Sequence, residues 1–266
     1  MATLSIGNVS RVTKLEAGLD LLCERGRVRI TALSPGIIRV RATQAADFGA
    51  DFSYAVAKRT WKKHPVRMTG DTLTTKQLTV RVSRQPFALE FVAPDGTVLN
   101  RELAIEWDGA KCRSRRDLAA EEMFFGCGEK TGAFNKRGQS LGFWNTDNPA
   151  HTYLNSEVYV SIPFLISSRG YGIFWDNTHR SQFNFGNGDE TQCVLEADAG
   201  EIDYYFFAGN PREIVRVYTE LTGRMELPPR WALGYQQCRW SYLSADEVLE
   251  VARVTIEIAS QAEGAT

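Results

Sequence analysis

Apolar and polar residues exchange places at every second position in stretch after stretch of this chain, and that period limits what it can fold into. Val28 and Ile30 alternate with Arg27 and Arg29, and Ile38 and Val40 with Arg39 and Arg41. Leu78, Val80 and Val82 alternate with Thr79 and Arg81, and Phe87, Leu89 and Phe91 keep the same spacing. Successive strand residues point to opposite faces, so the pattern sets one face on a core and the other in water, as in antiparallel sheets. "APDGT" at Ala93–Thr97 is a turn: proline presets φ and glycine accepts positive φ. It joins the strand Phe87–Val92 to another around Val98–Leu99. Short strands of this kind, punctuated by turns as far as residue 207, predict a mainly β sandwich.

The pattern changes at Asn210. In "NPREIVRVYTELTG", Asn210 stands at the N-cap, Pro211 at the first helical position and Glu213 at the third. Ile214, Val217, Tyr218 and Leu221 line one stripe, and Gly223 follows the last turn. "LPPR" at Leu227–Arg230 then reads as a stiff linker. Beyond it, "WALGYQQC" reads as a buried strand, and "SADEVLEVARV" as a helix with Ser244 and Glu247 in capping-box spacing. A strand, a loop and a helix begin an α/β architecture. The expected organisation is a sandwich domain over residues 1–226, ending in a helix at about 210–222. A linker and one β/α unit follow over residues 227–266.

A hydrophobic fraction of 43% supports a substantial core. With 31 basic and 32 acidic residues the net charge is −1, which gives no general attraction for nucleic acid or anionic membrane. The most apolar region, Val158–Trp175, is broken by Pro163, Arg169 and two glycines and does not read as a membrane span. "MATLSIGNVSRV" lacks the basic and apolar segments of a secretory signal. The five cysteines (Cys23, Cys112, Cys127, Cys193, Cys238) are scattered and odd in number, which suits free thiols in the cytoplasm.

Few segments could carry chemistry. "FFGCGEKTGAFNKRGQ" at Phe124–Gln139 is rich in glycine and lysine but lacks phosphate-loop spacing, so it reads as a turn between strands. His64, His151 and His179 lie apart, with no acid and cysteine set to complete a metal site. No cofactor motif is present. "GFWNTDNPAHTY" at Gly142–Tyr153 has two readings. Trp144 could lie under the C–H face of a sugar while Asn145, Asp147 and Asn148 meet its hydroxyls. Equally, Asp147 before Pro149 could form an Asx turn among half-buried rings. "GYQQCRWSY" at Gly234–Tyr242 is also open. Arg239, Trp240 and Tyr242 would end a first barrel strand on the active-site side, or pack between that strand and its helix.

Five segments together resemble glycoside hydrolase family 31, the α-glucosidase and α-xylosidase family. They are "FFGCGEKTGAFNKRGQ", "WNTDNPAHTY", "SIPFLISSRGYGIFWDNTHRSQFNFG", "YYFFAGNPREIVRVYTELTGRMELPPRWALGYQQCRWSY" and "SADEVLEVA", in the family's order between about Thr69 and Arg253. The resemblance implies a galactose-mutarotase-like β-sandwich followed by the start of a (β/α)8 catalytic barrel. It further implies that a sandwich loop reaches over the barrel mouth, with Asp147 contacting sugar beside the cleavage point. Tyr242 would line the subsite of the sugar that is released. The implied ligand is an α-glucoside oligosaccharide.

The chain departs from the family in one respect that bears on catalysis. The family's retaining mechanism uses two aspartates, and retention needs two carboxyl groups about 5–5.5 Å apart. The motif of the nucleophile, W-x-D-M-N-E, does not occur in these 266 residues, so no catalytic residue is assigned. A whole barrel takes about 250 residues, far more than follow the linker. "VTIEIASQAEGAT" after Arg253 does not continue the family pattern; a truncation, a cloning boundary or a frameshift would each produce it. Three functions are therefore set against each other. They are an α-glucosidase N-terminal portion inactive alone, a non-catalytic carbohydrate-binding module, and a mutarotase, which lacks an identifiable acid and base. A lone β/α unit would leave Trp231, Leu233, Val248 and Val251 uncovered, predicting poor packing, self-association or disorder after about residue 230.

Overall fold

The protein is described here by a computed structural model that covers residues 3–149, 152–153, 155–238 and 241–263, with side chains as far as residue 257. Two antiparallel sheets account for most of it. The first runs Ser140–Phe143, Ser181–Phe185, Gln192–Ala197, Lys111–Asp117, Val98–Asp108, Phe87–Val92, Thr79–Arg84, Thr72–Thr74, Arg67–Thr69, and Leu4–Ser5 also pairs with Val98–Asp108. The second runs Phe124–Gly128, Ser161–Ser167, Tyr171–Trp175, Ile202–Ala208, Ile37–Thr43, Gly26–Ser34, Gly18–Cys23, Val9–Leu15. The alternating apolar residues form the layer between them: Val80, Leu89, Phe91 and Phe183 from one sheet, Leu21, Val28, Ile30, Val40 and Phe206 from the other, all fully buried. Phe91 and Phe206 stack across this layer with ring centroids 4.0 Å apart. The mainly β sandwich expected from the alternation is therefore present, and the "APDGT" turn closes with Ala93 N–H donating to the Thr97 carbonyl at 2.8 Å.

The strand Ile202–Ala208 is apolar at almost every position because both its faces are covered. Tyr204 and Phe206 face the inter-sheet core. Tyr205 and Phe207 face a second cluster under helix α1, Pro211–Thr222. Asn210 caps α1 in a complete capping box with Glu213, as its sequence predicts. Ile214 and Leu221 are buried in the second cluster, and Tyr218 stacks on Phe164 at 3.9 Å.

One expectation about water-facing sides needs correction. The arginine face of Gly26–Ser34 and Ile37–Thr43 is not simply solvated, because the segment 44–66 crosses it. Arg27 and Arg29 pair with Asp20 at 2.6 and 2.8 Å, Arg39 pairs with Asp203 at 2.7 Å, and Arg41 pairs with Glu201 at 2.7 Å. Phe48 lies beneath Arg29 and Arg41, with guanidinium carbons 4.8 and 5.0 Å from its ring centre. Charge on every second residue marks a face but not what covers it, and here paired carboxylates and a ring take the place of water.

The chain divides into two compact units, Met1–Arg224 and Met225–Thr266. In the second, a 3-10 turn occupies Arg230–Leu233 and helix α2 spans Ala245–Glu263. The strand expected at "WALGYQQC" is absent. A parallel barrel strand takes its hydrogen bonds from neighbours on either side, and the described residues of this unit hold no second strand. The capping chemistry expected at the start of α2 is present. Ser244 Oγ accepts from Glu247 N–H at 3.2 Å, while the Glu247 carboxylate accepts from Leu243 N–H at 2.8 Å, one residue before the N-cap. Trp231, Leu233, Val248 and Leu249 are exposed, and Val251 is half-buried. Among the described residues no helix is long and apolar enough to cross a membrane.

Candidate functional site

The loop read from Gly142 to Tyr153 leaves the end of the strand Ser140–Phe143, which pairs with Ser181–Phe185. Phe143 turns inward and meets Phe183 with centroids 4.3 Å apart. The strand's alternation therefore sends Trp144 outward, where half of its surface is exposed. Thr146 N–H donates to the Val158 carbonyl at 3.0 Å, and Ser161 N–H donates to Asn145 Oδ1 at 2.7 Å. These two bonds pull the outgoing chain beside the incoming one. Asn145 thus spends its carbonyl oxygen on the loop and keeps its amide N–H groups for other partners.

Asp147 is exposed at the outer part of the loop. It accepts a hydrogen bond from the Tyr159 hydroxyl, and that bond raises Tyr159 above the ordinary tyrosine value. The Asx turn considered for Asp147 meets a chemical obstacle. It would need an N–H two residues on, at Pro149, which has none. His151 lies outside the described residues. Beside the loop, Trp144, Asn145, Pro163, Asn177 and His179 line an open cleft of about 280 Å³. The cleft thus sets an exposed ring beside the amides of Asn145 and Asn177, and Asp147 is exposed on the same loop.

The remaining sequence expectations distribute over both units. Tyr242 belongs to the second unit, where it is half-buried and its hydroxyl accepts from Gln237 Nε2 at 3.4 Å. Arg239 and Trp240 lie outside the described residues. His179 is exposed on the cleft rim, with its N–H donating to Asn177 Oδ1 at 2.8 Å, and His64 is half-buried. Among the described residues no three His, Cys, Asp or Glu side chains converge as a metal would require. Cys127 and Cys112 are free and buried, and burial pushes both thiols up to about 12, which makes them inert.

The glycine-rich segment Phe124–Gln139 contains a residue that composition alone does not single out. Gly126, Cys127 and Gly128 all have positive φ, and a Cβ at Gly128 would lie 2.7 Å from both the Val160 carbonyl oxygen and the Ile162 nitrogen. Two residues on, Lys130 is half-buried. Its Nζ donates to the carbonyls of Gly142 and Ser156 at 2.7 and 2.6 Å and to Ser161 Oγ at 3.0 Å. Burial lowers Lys130 to about 8. Its one sequence signal is a lysine in a glycine turn that has no phosphate-loop spacing.

Residues 27–184 match the glycosyl hydrolase 31 N-terminal galactose mutarotase-like domain, and residues 225–257 match the glycosyl hydrolases family 31 TIM-barrel domain. Alpha-glucosidase 2 of Bacillus thermoamyloliquefaciens is 36% identical over 266 residues, covering 96% of this chain and 34% of that protein. An isomaltosyltransferase of Sporosarcina globispora is 34% identical over 181 residues, covering 61% of this chain and 16% of that protein. The solved structure of a Flavobacterium johnsoniae GH31 dextranase mutant, complexed with isomaltotriose, superposes with a TM-score of 0.88 at 33% identity. It covers 96% of this chain and 33% of the dextranase. The chain therefore spans about a third of the length of the first relative and of this structure.

Proposed function

The chain belongs to glycoside hydrolase family 31, and we propose on that premise that it is the N-terminal portion of an α-glucosidase whose sandwich supplies one wall of the sugar site. The observation that carries this reading is the exposed Trp144 on a loop that also presents Asp147, within a sandwich matched to the family's N-terminal domain. Trp144 offers a ring to a sugar's C–H face. Asp147 accepts hydrogen bonds from its hydroxyls. By resemblance to the family, Tyr242 is assigned to the subsite of the sugar that leaves. The ligand is an α-glucoside oligosaccharide, in keeping with the isomaltotriose held by the dextranase structure.

By themselves these 266 residues do not hydrolyse the bond. They contain no W-x-D-M-N-E motif, and retention needs a nucleophile and an acid held as a pair. Purified chain incubated with an aryl α-glucoside is expected to release no aglycone above a buffer control; sustained release would overturn this. Isomaltotriose is expected to bind in the millimolar range or not at all, because one wall encloses little of the ligand. The free cysteines support a cytoplasmic location, which fractionation of the source cells would test.

The second reading, a carbohydrate-binding module, draws on the same exposed Trp144. It predicts submicromolar affinity for maltose or isomaltose in a tryptophan fluorescence titration, whereas the first predicts saturation only at millimolar sugar.

A further inference from the structure

Ser156, where the loop returns, lies fourteen residues after Gly142, where it begins. Beyond Phe143 this stretch forms no strand or helix among the described residues. Such a segment keeps one shape only if a few strong contacts fix its ends, since each free backbone residue resists ordering. Those contacts converge on the segment 128–131. Glu129 N–H donates to the Val160 carbonyl at 2.8 Å, and the Thr131 hydroxyl donates to the Asn155 carbonyl. Gly142 N–H in turn donates to Ser156 Oγ at 3.0 Å. The Lys130 ammonium stands at the centre, with Gly142, Ser156 and Ser161 accepting its three N–H groups.

We propose that Lys130 is the positioning residue of this loop, a clamp that joins its entry to its exit and so fixes where Trp144 and Asp147 stand. Its role toward sugar rests on the reading of the loop as a sugar wall; the clamp itself does not. One partner lies on the entry side at Gly142, two residues before Trp144. The other two lie on the exit side. The Phe143 ring centre is 4.7 Å from Nζ, so the ammonium also rests on the residue immediately before Trp144. No solvated surface lysine needs three acceptors from two chain segments and an aromatic face. Lys130 touches neither the exposed ring nor the exposed carboxylate, and it acts through the backbone that carries them. The charged groups around it are Glu129, Glu157 and Lys136, together with the Cys127 thiol.

The experiment compares the 266-residue chain with its Lys130→Met, Lys130→Arg, Ser161→Ala and Asp147→Ala variants by amide hydrogen exchange at about pH 7. The reporters are the Thr146 and Ser161 amides, whose bonds hold the loop closed, and the reference is the strand pair Val98–Asp108 and Lys111–Asp117. Lys130→Met is expected to speed exchange at both reporters at least tenfold and leave the reference within twofold. Lys130→Arg restores part of the protection, and Ser161→Ala, which deletes one acceptor, gives a smaller increase. Wild-type exchange at the reporters in Lys130→Met overturns the proposal. If that variant unfolds globally, Ser161→Ala decides by the same criterion. Isomaltotriose at millimolar concentration is then followed by the same amides. Weaker binding in both Lys130→Met and Asp147→Ala supports the positioning role. Weaker binding in Asp147→Ala alone overturns it. A loosened loop with equal isomaltotriose response in wild type and Asp147→Ala leaves the clamp standing and removes the sugar-wall reading.

Discussion

Arg116 lies almost fully buried between the two sheets, and what surrounds it explains why a charge is tolerated there. Its guanidinium donates to Asn100 Oδ1 at 2.8 Å and to Glu102 Oε1 at 3.3 Å, and covers the Tyr204 ring at 4.4 Å. Glu102 also accepts from Ser114 at 2.5 Å and from the Tyr204 hydroxyl, in the facing sheet, at 2.7 Å. Asn100 passes the chain on to Tyr171, which donates to Glu122 at 2.6 Å. Removing one member of such a buried pair strands the other, at a cost of about 3–5 kcal/mol. Arg116→Met is therefore expected to lower unfolding stability in urea by about that amount, and adding Glu102→Gln should recover part of the loss. Asp176 is the opposite case. Burial raises its carboxyl above the ordinary aspartate value, against the Ser53 hydrogen bond and the nearby Arg39, and its Oδ2 has no partner. Because the folded value is the higher one, stability from this group is full below the unfolded value and is lost as pH rises through the folded value. Asp176→Asn is expected to gain on wild type between about pH 4 and pH 7 in urea titrations; an equal difference at both pH values would refute the burial argument. Neither residue declares itself in the sequence. Arg116 sits beside Arg115 in the arginine-rich strand Lys111–Asp117, and its partners lie in strands whose pairing the local pattern does not encode.

Helix α1 was legible because everything that starts and stops it lies between Asn210 and Gly223. Asn210 accepts from Glu213 N–H at 3.0 Å and Glu213 accepts from Asn210 N–H at 3.0 Å, both contacts spanning three residues. Asn210→Ala is expected to cost about 1 kcal/mol. Leu221→Ala, which opens the cluster shared with Phe164 and Phe207, should cost about 2–5 kcal/mol in the same urea series. The segment 44–66 was not legible, since it has no period and is held by partners far away in sequence. Gly49 N–H donates to Glu201 at 2.7 Å, and the Ala57 and Lys58 amides donate to the Leu221 carbonyl at 3.0 Å. The residues from Trp231 to Cys238 show the limit from the other side. Their apolar composition suits a strand, but a strand is a pairwise object, and composition does not state whether its neighbours are present. The candidate loop falls between these cases: Trp144 and Asp147 were visible as residue types, whereas Lys130 acts on carbonyls 12 and 26 residues away, and a carbonyl carries no sequence label.

At the scale of the whole molecule the two units differ in how completely they bury their apolar residues. The first closes a continuous core between two sheets and a second cluster under α1. The second leaves Leu227 91% exposed, Trp231 78%, Tyr235 73% and Leu249 65%. Exposed apolar area gains roughly 25 cal/mol for each Å² removed from water, so covering even a few of these side chains gives a real incentive to associate. Two consequences follow for the chain as it stands. A chain of residues 1–224 is expected to unfold in urea with the same midpoint as the 266-residue chain, because the second unit adds no buried apolar cluster of its own among the described residues. The 266-residue chain is expected to self-associate with rising concentration, whereas residues 1–224 stay monomeric. Sedimentation velocity over a hundredfold concentration range checks this directly. Equal, concentration-independent sedimentation of both would overturn the predicted self-association. Trp231→Ser with Leu249→Ser in the longer chain should weaken association without moving the urea midpoint. Loss of the midpoint in that variant would instead assign those residues to the folded core.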